Sequence, residues 1–104
     1  MFARRVYMHL KPHSVAEFTQ RLEKDILPLL RKQKGFQDEI TFVAQGGKEA
    51  FAISLWDKPE NADTYNRGTY PEVTKMLATV TEGAPQVETF DVANSTFHKI
   101  AVAA

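Results

Sequence analysis

Few residues in this chain have side chains suited to chemistry, and most of them lie close together. The stretch from Phe51 to Leu77 holds the only Trp, Trp56, and two of the three Tyr residues, Tyr65 and Tyr70, with Met76 near its end. A pocket walled by large aromatic groups with a few polar tips suits a planar organic ligand. On this reading Tyr65 or His9 accepts or positions a substrate proton. Trp56 shapes a dry wall, and Tyr70 and Met76 complete the binding surface. The competing reading makes the same aromatics core and interface packing. Arg5 shares a strand face with His9 and is a further candidate for substrate binding. A cation on a half-buried face needs a partner, and Glu39, Glu88 or a ligand anion could fill that place.

Other chemistries find little support. His9, His13 and Glu17 would align on a helix, but Pro12 and the strand-to-loop character of the segment break that geometry, so no metal site is expected. His98 has no evident partner. The chain has no Cys, which excludes disulfides, thiolate catalysis and Cys-ligated zinc. It has no glycine-rich phosphate loop, serine elbow or paired-carboxylate motif. Asn94-Ser95-Thr96 matches a glycosylation acceptor by chance. Lys plus Arg and Asp plus Glu balance at 13 each, which argues against a nucleic-acid or anionic-membrane surface. No stretch approaches the roughly 20 apolar residues of a membrane span, and the N-terminus has no leader-like apolar core. A cytoplasmic protein is expected, with residues 1–104 forming one domain.

The elements that must position these residues are legible from periodicity. Residues 3 to 10 alternate as a strand, with Val6, Met8 and Leu10 on one face and Arg5, Tyr7 and His9 on the other. Ser14 and Glu17 form a capping box. The helix after them carries Val15, Phe18, Leu22, Ile26, Leu29 and Leu30, with Pro28 kinking or ending it and Gly35 stopping it. Phe36 to Ala44 is a second strand, with Phe36, Ile40 and Phe42 in one phase and Val43 in the other. Gly46-Gly47 turns it into a third strand, Phe51 to Trp56. Asp57 caps the next helix, which Gly68 breaks and Tyr70-Pro71 restarts. A fourth strand spans Gln86 to Val92, and Phe97 to Val102 extends it.

The order βαββαβ is that of an α+β, ferredoxin-like fold. It gives a four-stranded antiparallel sheet in the order 4-1-3-2 with both helices on one face. The other face is left open, carrying either Phe51, Ile53 and Leu55 or Trp56 and Tyr7, according to register. Such a face marks an interface, and a homodimer packed sheet to sheet follows.

With these features in place, the chain resembles the antibiotic-biosynthesis-monooxygenase superfamily of dimeric α/β barrels. The likeness is carried by the short first strand, by GFQDEITFVAQGGKEAFAISLWDKPENADTY and by TYPEVTKML. It implies a homodimer and a pocket between sheet and helices in each subunit. Its members include cofactor-independent oxygenases of anthrones and quinols, haem-degrading oxygenases, small-molecule isomerases and many without assigned activity. The haem-degrading members use a strand Asn, a helix Trp and a helix His. This chain aligns Arg5, Tyr65 and Lys75 with those positions, and none matches. The resemblance therefore implies a monooxygenase without cofactor, acting on a small aromatic or quinol-type molecule. A non-catalytic binding dimer and a purely structural dimer are the alternatives.

Overall fold

The computed structural model describes residues 1–100. Strand β1 (Phe2–Leu10) leads into a helical rod made of α1 (Val15–Arg21), a π-helical segment (Leu22–Ile26) and α2 (Leu27–Arg31). Strands β2 (Phe36–Val43) and β3 (Glu49–Trp56) form a hairpin. Helices α3 (Pro59–Gly68) and α4 (Tyr70–Leu77) follow, and β4 (Thr81–Asp91) closes the chain's regular structure. The sheet order is β2-β3-β1-β4, every pair antiparallel. This is the expected ferredoxin-like order read from the other edge. Val6, Met8, Leu10, Ala50 and Trp56 of the sheet share one core with Phe18, Leu22, Ile26 and Leu30 of the first helical rod. Ala62, Tyr65, Val73 and Leu77 of the second helical region join them, so the helices cover a single face.

Local chemistry explains where the elements depart from their expected limits. Pro28 has no N–H to donate, and its ring crowds the carbonyl four residues back. The rod neither ends nor breaks there: it widens into the π segment just before Pro28 and continues to Arg31. Ser14 is not a side-chain cap, because its hydroxyl turns back to the Pro12 carbonyl. Lys58, in extended conformation, precedes α3 in the place expected of Asp57. Asp57 instead accepts a hydrogen bond from Asn61 Nδ2 at 2.8 Å. β4 begins at Thr81, five residues before the expected Gln86, and runs through Gly83 and Pro85. An edge strand tolerates a proline, and the register slips by a bulge opposite Tyr7 and His9. No strand follows Phe97 as far as Ile100, and the remainder of that expected extension lies outside the described residues.

The open face takes Phe51, Ile53 and Leu55 from the first of the two expected sets and Tyr7 from the second, because Tyr7 pairs with Phe51 and not with the phase of Trp56. Tyr7 lies opposite Phe51 and Arg5 opposite Ile53, while Trp56 points to the helices. Ile40 and Phe42 of β2 complete this face at 51% and 42% exposure, and Phe42 stacks on Phe51 with ring centroids 4.8 Å apart.

Gly35 links the first rod to β2 with φ +81°, and a Cβ there would run into Asp57 and Asn61 at the head of α3. The left-handed backbone alone costs a non-glycine residue about 1–2 kcal/mol. We expect Gly35→Ala to lower stability in urea unfolding by about 2 kcal/mol or more. Gly46→Ala, which meets nothing within 4 Å, should be close to neutral. Equal effects at the two positions would contradict this account of the junction.

Candidate functional site

The site begins with an irregularity in β2. The pairing with β3 slips between Phe36 and Asp38, so that Phe36 lies opposite Trp56 while Ile40 lies opposite Ile53. Residues of one sequence phase therefore divide between the two faces. Glu39, Thr41 and Val43 pass to the helix side, and Phe36 joins them there. Pairing then sets Glu39 beside Ser54, and Ser54 beside Arg4. A polar row, Glu39–Ser54–Arg4, runs across three adjacent strands beneath the helices. The rows on either side hold Thr41, Ala52 and Val6, and Phe36, Trp56 and Phe2.

Arg4 is the unexpected member. It is 3% exposed, although it carries a charge. Its guanidinium lies 4.0 Å from the Tyr70 ring centroid and 5.3 Å from that of Tyr65. Nη2 donates to Asn66 Oδ1 at 2.8 Å. No carboxylate forms an ion pair with it among the described residues. Burial pulls its pKa down, partly offset by the neighbouring phenols, yet an arginine stays charged under such a shift. Stacking on aromatic faces recovers about 0.5–2 kcal/mol, less than the several kcal/mol of desolvation that burying an ion costs.

The space above this row is a cavity of about 40 Å³. Arg4, Glu39, Ser54, Tyr65 and Tyr70 supply its polar lining, and apolar side chains such as Val6, Met8, Leu22, Ile26 and Leu77 supply the rest. The Tyr70 hydroxyl is buried there and makes no hydrogen bond of normal geometry among the described residues, although the Arg4 guanidinium is close enough to favour its ionised form. The Ser54 hydroxyl is occupied, accepting from Trp56 Nε1 at 2.9 Å and lying 3.4 Å from the Arg4 carbonyl. Burial pushes the Tyr65 phenol up to about 12 and also raises Tyr70, with Arg4 opposing both shifts. Both tyrosines hold their protons near neutral pH and act there as donors. Burial raises the Glu39 carboxyl as well, against the hydrogen bond that Thr41 Oγ1 donates to Oε2.

The candidates named from sequence divide around this cavity. Tyr65 and Tyr70 line it together, with ring centroids 6.2 Å apart. Trp56 is 0% exposed and stands behind the lining, against Phe36 and Tyr65, where it holds Ser54. Met76 packs at the core's edge and its side chain is not in the cavity wall. His9 and Arg5 have the opposite strand phase and lie on the open face. His9 is exposed against Tyr7, and Arg5 pairs with Glu88 at 2.7 Å and covers the Phe51 ring. Neither reaches the cavity, so the structure does not bring His9 to Tyr65. His98 has a partner after all, Asp38 of β2. Sequence reasoning passed over Arg4 and Ser54 and named Glu39 only as a possible partner of Arg5. That place is taken by Glu88, because Glu39 lies on the opposite face of the sheet. Arg4 is in phase with Val6, Met8 and Leu10, and Glu39 with Val43, which was the available signal.

Comparison with protein-family profiles finds no match, and comparison with curated proteins finds none. Solved structures do match. A putative antibiotic biosynthesis monooxygenase from Bordetella bronchiseptica superposes with TM-score 0.75 at 14% identity, over 89% of this chain and 97% of that one. SnoaB, a cofactor-independent oxygenase from Streptomyces nogalater, gives TM-score 0.75 at 10% identity, over 91% and 95%. NE2512, a protein of unknown function from Nitrosomonas europaea, gives 0.70 at 16%, over 98% and 95%. The chain shares the ferredoxin-like α+β fold of these structures. Among the described residues no helix is long and apolar enough to cross a membrane.

The half-buried carboxyl of Glu39 makes a pH-dependent prediction. A carboxyl whose pKa is raised by folding binds more protons folded than unfolded, so its ionisation costs stability as pH rises from its ordinary value through the raised one. Glu39→Gln is spared that cost. We expect Glu39→Gln to melt above the parent near neutral pH, with the gap closing as pH falls toward the ordinary glutamate value of about 4.3. A gap that stays constant with pH would show that Glu39 is not held against ionisation.

Proposed function

We propose that this protein is a homodimeric, cofactor-independent oxygenase that binds a small phenol-like or quinol-like molecule in the cavity over Arg4. The observation that carries this reading is a buried guanidinium in no ion pair among the described residues, set beside a Tyr70 hydroxyl that makes no hydrogen bond of normal geometry, at the polar end of a mostly apolar cavity. Both groups are donors: Arg4 gives one N–H to Asn66 and keeps others to offer, and the Tyr70 hydroxyl has its proton to give, which suits an acceptor oxygen. A phenol, enol or conjugated carbonyl offers such an oxygen on an apolar ring. Oxygenation of an activated methylene consumes molecular oxygen: the carbon loses two hydrogens and gains one oxygen atom, and the other oxygen leaves as water. The protein's share of that work is to exclude water, orient the ring and stabilise the anion that reacts with oxygen. SnoaB, which has the same fold, is a cofactor-independent oxygenase.

The cavity must widen to accept a ring. An apolar cavity of roughly 150 Å³ takes up benzene, against about 40 Å³ here. Tyr70 opens the first turn of α4 directly after the break at Thr69. It stands at an interruption of the helical region and stacks on the guanidinium, so its outward movement uncovers Arg4. The homodimer rests on the open sheet face, where Ile40, Phe42 and Phe90 are exposed beside Phe51 and Ile53. A second reading, a binding protein without turnover, uses the same Arg4 and Tyr70 contacts and omits the reaction with oxygen.

Titration with a panel of phenols, quinols and anthrone, followed by tryptophan fluorescence, should show saturable binding by the parent and weaker binding by Tyr70→Phe. Oxygen uptake with the bound compound supports the oxygenase, and binding without uptake supports the second reading. No binding across the panel would overturn the site. Light scattering at micromolar concentration should give the dimer mass, and a monomer would overturn the interface.

A further inference from the structure

The geometry points to Glu39 as the proton acceptor of this cavity, for a carbon acid whose charge gathers on an oxygen held at Arg4. This assignment rests on the proposed function and sharpens it, naming both the residue that starts the chemistry and the substrate chemistry that residue suits. Glu39 is the one carboxylate lining the cavity among the described residues. The bulge at the start of β2 turns it inward, and Thr41 Oγ1 fixes its carboxylate by a hydrogen bond.

The other cavity groups are unfit for the task. The ionisable groups that share the cavity with Glu39 are Arg4 from β1, Tyr65 from α3 and Tyr70 from α4, while the first helical rod lines it with Leu22, Ile26 and Leu30. On its outer side Glu39 also borders a surface depression with Arg31 from the end of that rod and Asp38 of β2. Arg4 has no lone pair to offer. Tyr65, pushed up to about 12, and Tyr70, also raised, keep their protons near neutral pH. The Ser54 hydroxyl is taken by Trp56 Nε1. Burial raises Glu39 toward the pH at which it would work, which strengthens it as a base.

Glu39 and Arg4 stand on either side of Ser54, two strand intervals apart, about 10 Å between backbones. No ion pair joins them among the described residues. Base and cation are therefore separated across the floor. A substrate served by both loses its proton at one end and collects negative charge at the other, which describes a C–H acid conjugated through a ring to a carbonyl or phenolic oxygen. In the step itself the C–H bond breaks and its electron pair delocalises onto the oxygen facing Arg4. The proton forms a new O–H bond on Glu39, and the Tyr70 hydroxyl donates to the developing oxyanion.

Anthrone, with its methylene across a ring from its carbonyl, is the probe. Without oxygen and in deuterated buffer, the parent should exchange the methylene protons for deuterium faster than buffer alone, as read by NMR. The rate should rise with pH along a single ionisation lying above the ordinary glutamate range. Glu39→Gln should bind anthrone as tightly as the parent and exchange it about 100-fold more slowly, the lower end of what a positioned base contributes. Thr41→Val removes the donor that favours the ionised carboxylate, so its profile should move to higher pH. Undiminished exchange in Glu39→Gln, or an unmoved profile in Thr41→Val, would overturn the assignment while leaving the binding site intact. Failure of the parent to bind anthrone or any of the phenols and quinols would instead overturn the proposed function and this inference with it.

Discussion

The burial of one charge governs this structure. Arg4 occupies an inward position on β1, in phase with the strand's apolar core residues, where transfer from water costs a guanidinium several kcal/mol. The surrounding polar features answer to it. Tyr65 and Tyr70 present their ring faces to it from two different helices. Asn66 accepts one of its hydrogen bonds, and Ser54 and Glu39 continue its row across the sheet. The arrangement softens the cost of burial without cancelling it, because the charge has no counterion among the described residues. A core optimised for stability alone would place an apolar side chain there.

The helices show how a sheet of this size leaves room above such a row. The widened turn before Pro28 keeps Leu22, Ile26 and Leu30 on the cavity side of the first rod. The second helical region is interrupted at Thr69, so Tyr65 and Tyr70 approach Arg4 from separate pieces. A continuous helix would carry residues five apart to different faces, since 3.6 residues complete a turn. The break that Gly68 and Pro71 announce in the sequence is thus what lets both tyrosines cover one guanidinium.

The strand order, the alternation within β1 and within β3, the Gly46-Gly47 hairpin and an interruption beside Gly68, which falls at Thr69, were legible in the sequence, because alternation and turn chemistry act locally. The site was half legible. Tyr65 and Tyr70 fall in the helices beside the strand that ends at Trp56, and their nearness followed from the order of elements. Trp56 was placed on the correct strand phase but stands behind the wall, since depth within a layer leaves no mark in a period of two. Arg4 was hidden by Arg5: two adjacent arginines point to opposite faces, and only one of them can meet Glu88 on the open side. Glu39 was hidden by the bulge after Phe36, which carries no glycine or proline to announce it. β4's early start was masked by Gly83 and Pro85, which end most strands but are tolerated at a bulged sheet edge.

The central claim is that Arg4 is kept for a ligand and not for the fold, and one substitution tests it most directly. Arg4→Met keeps much of the side chain's length and its contact with the two tyrosine rings while removing the charge. Thermal unfolding of Arg4→Met, set beside titration of the same variant with anthrone, reads both roles at once. The account predicts a melting temperature equal to or above the parent's together with loss of saturable binding. A variant that unfolds well below the parent, or that binds anthrone unchanged, would contradict it.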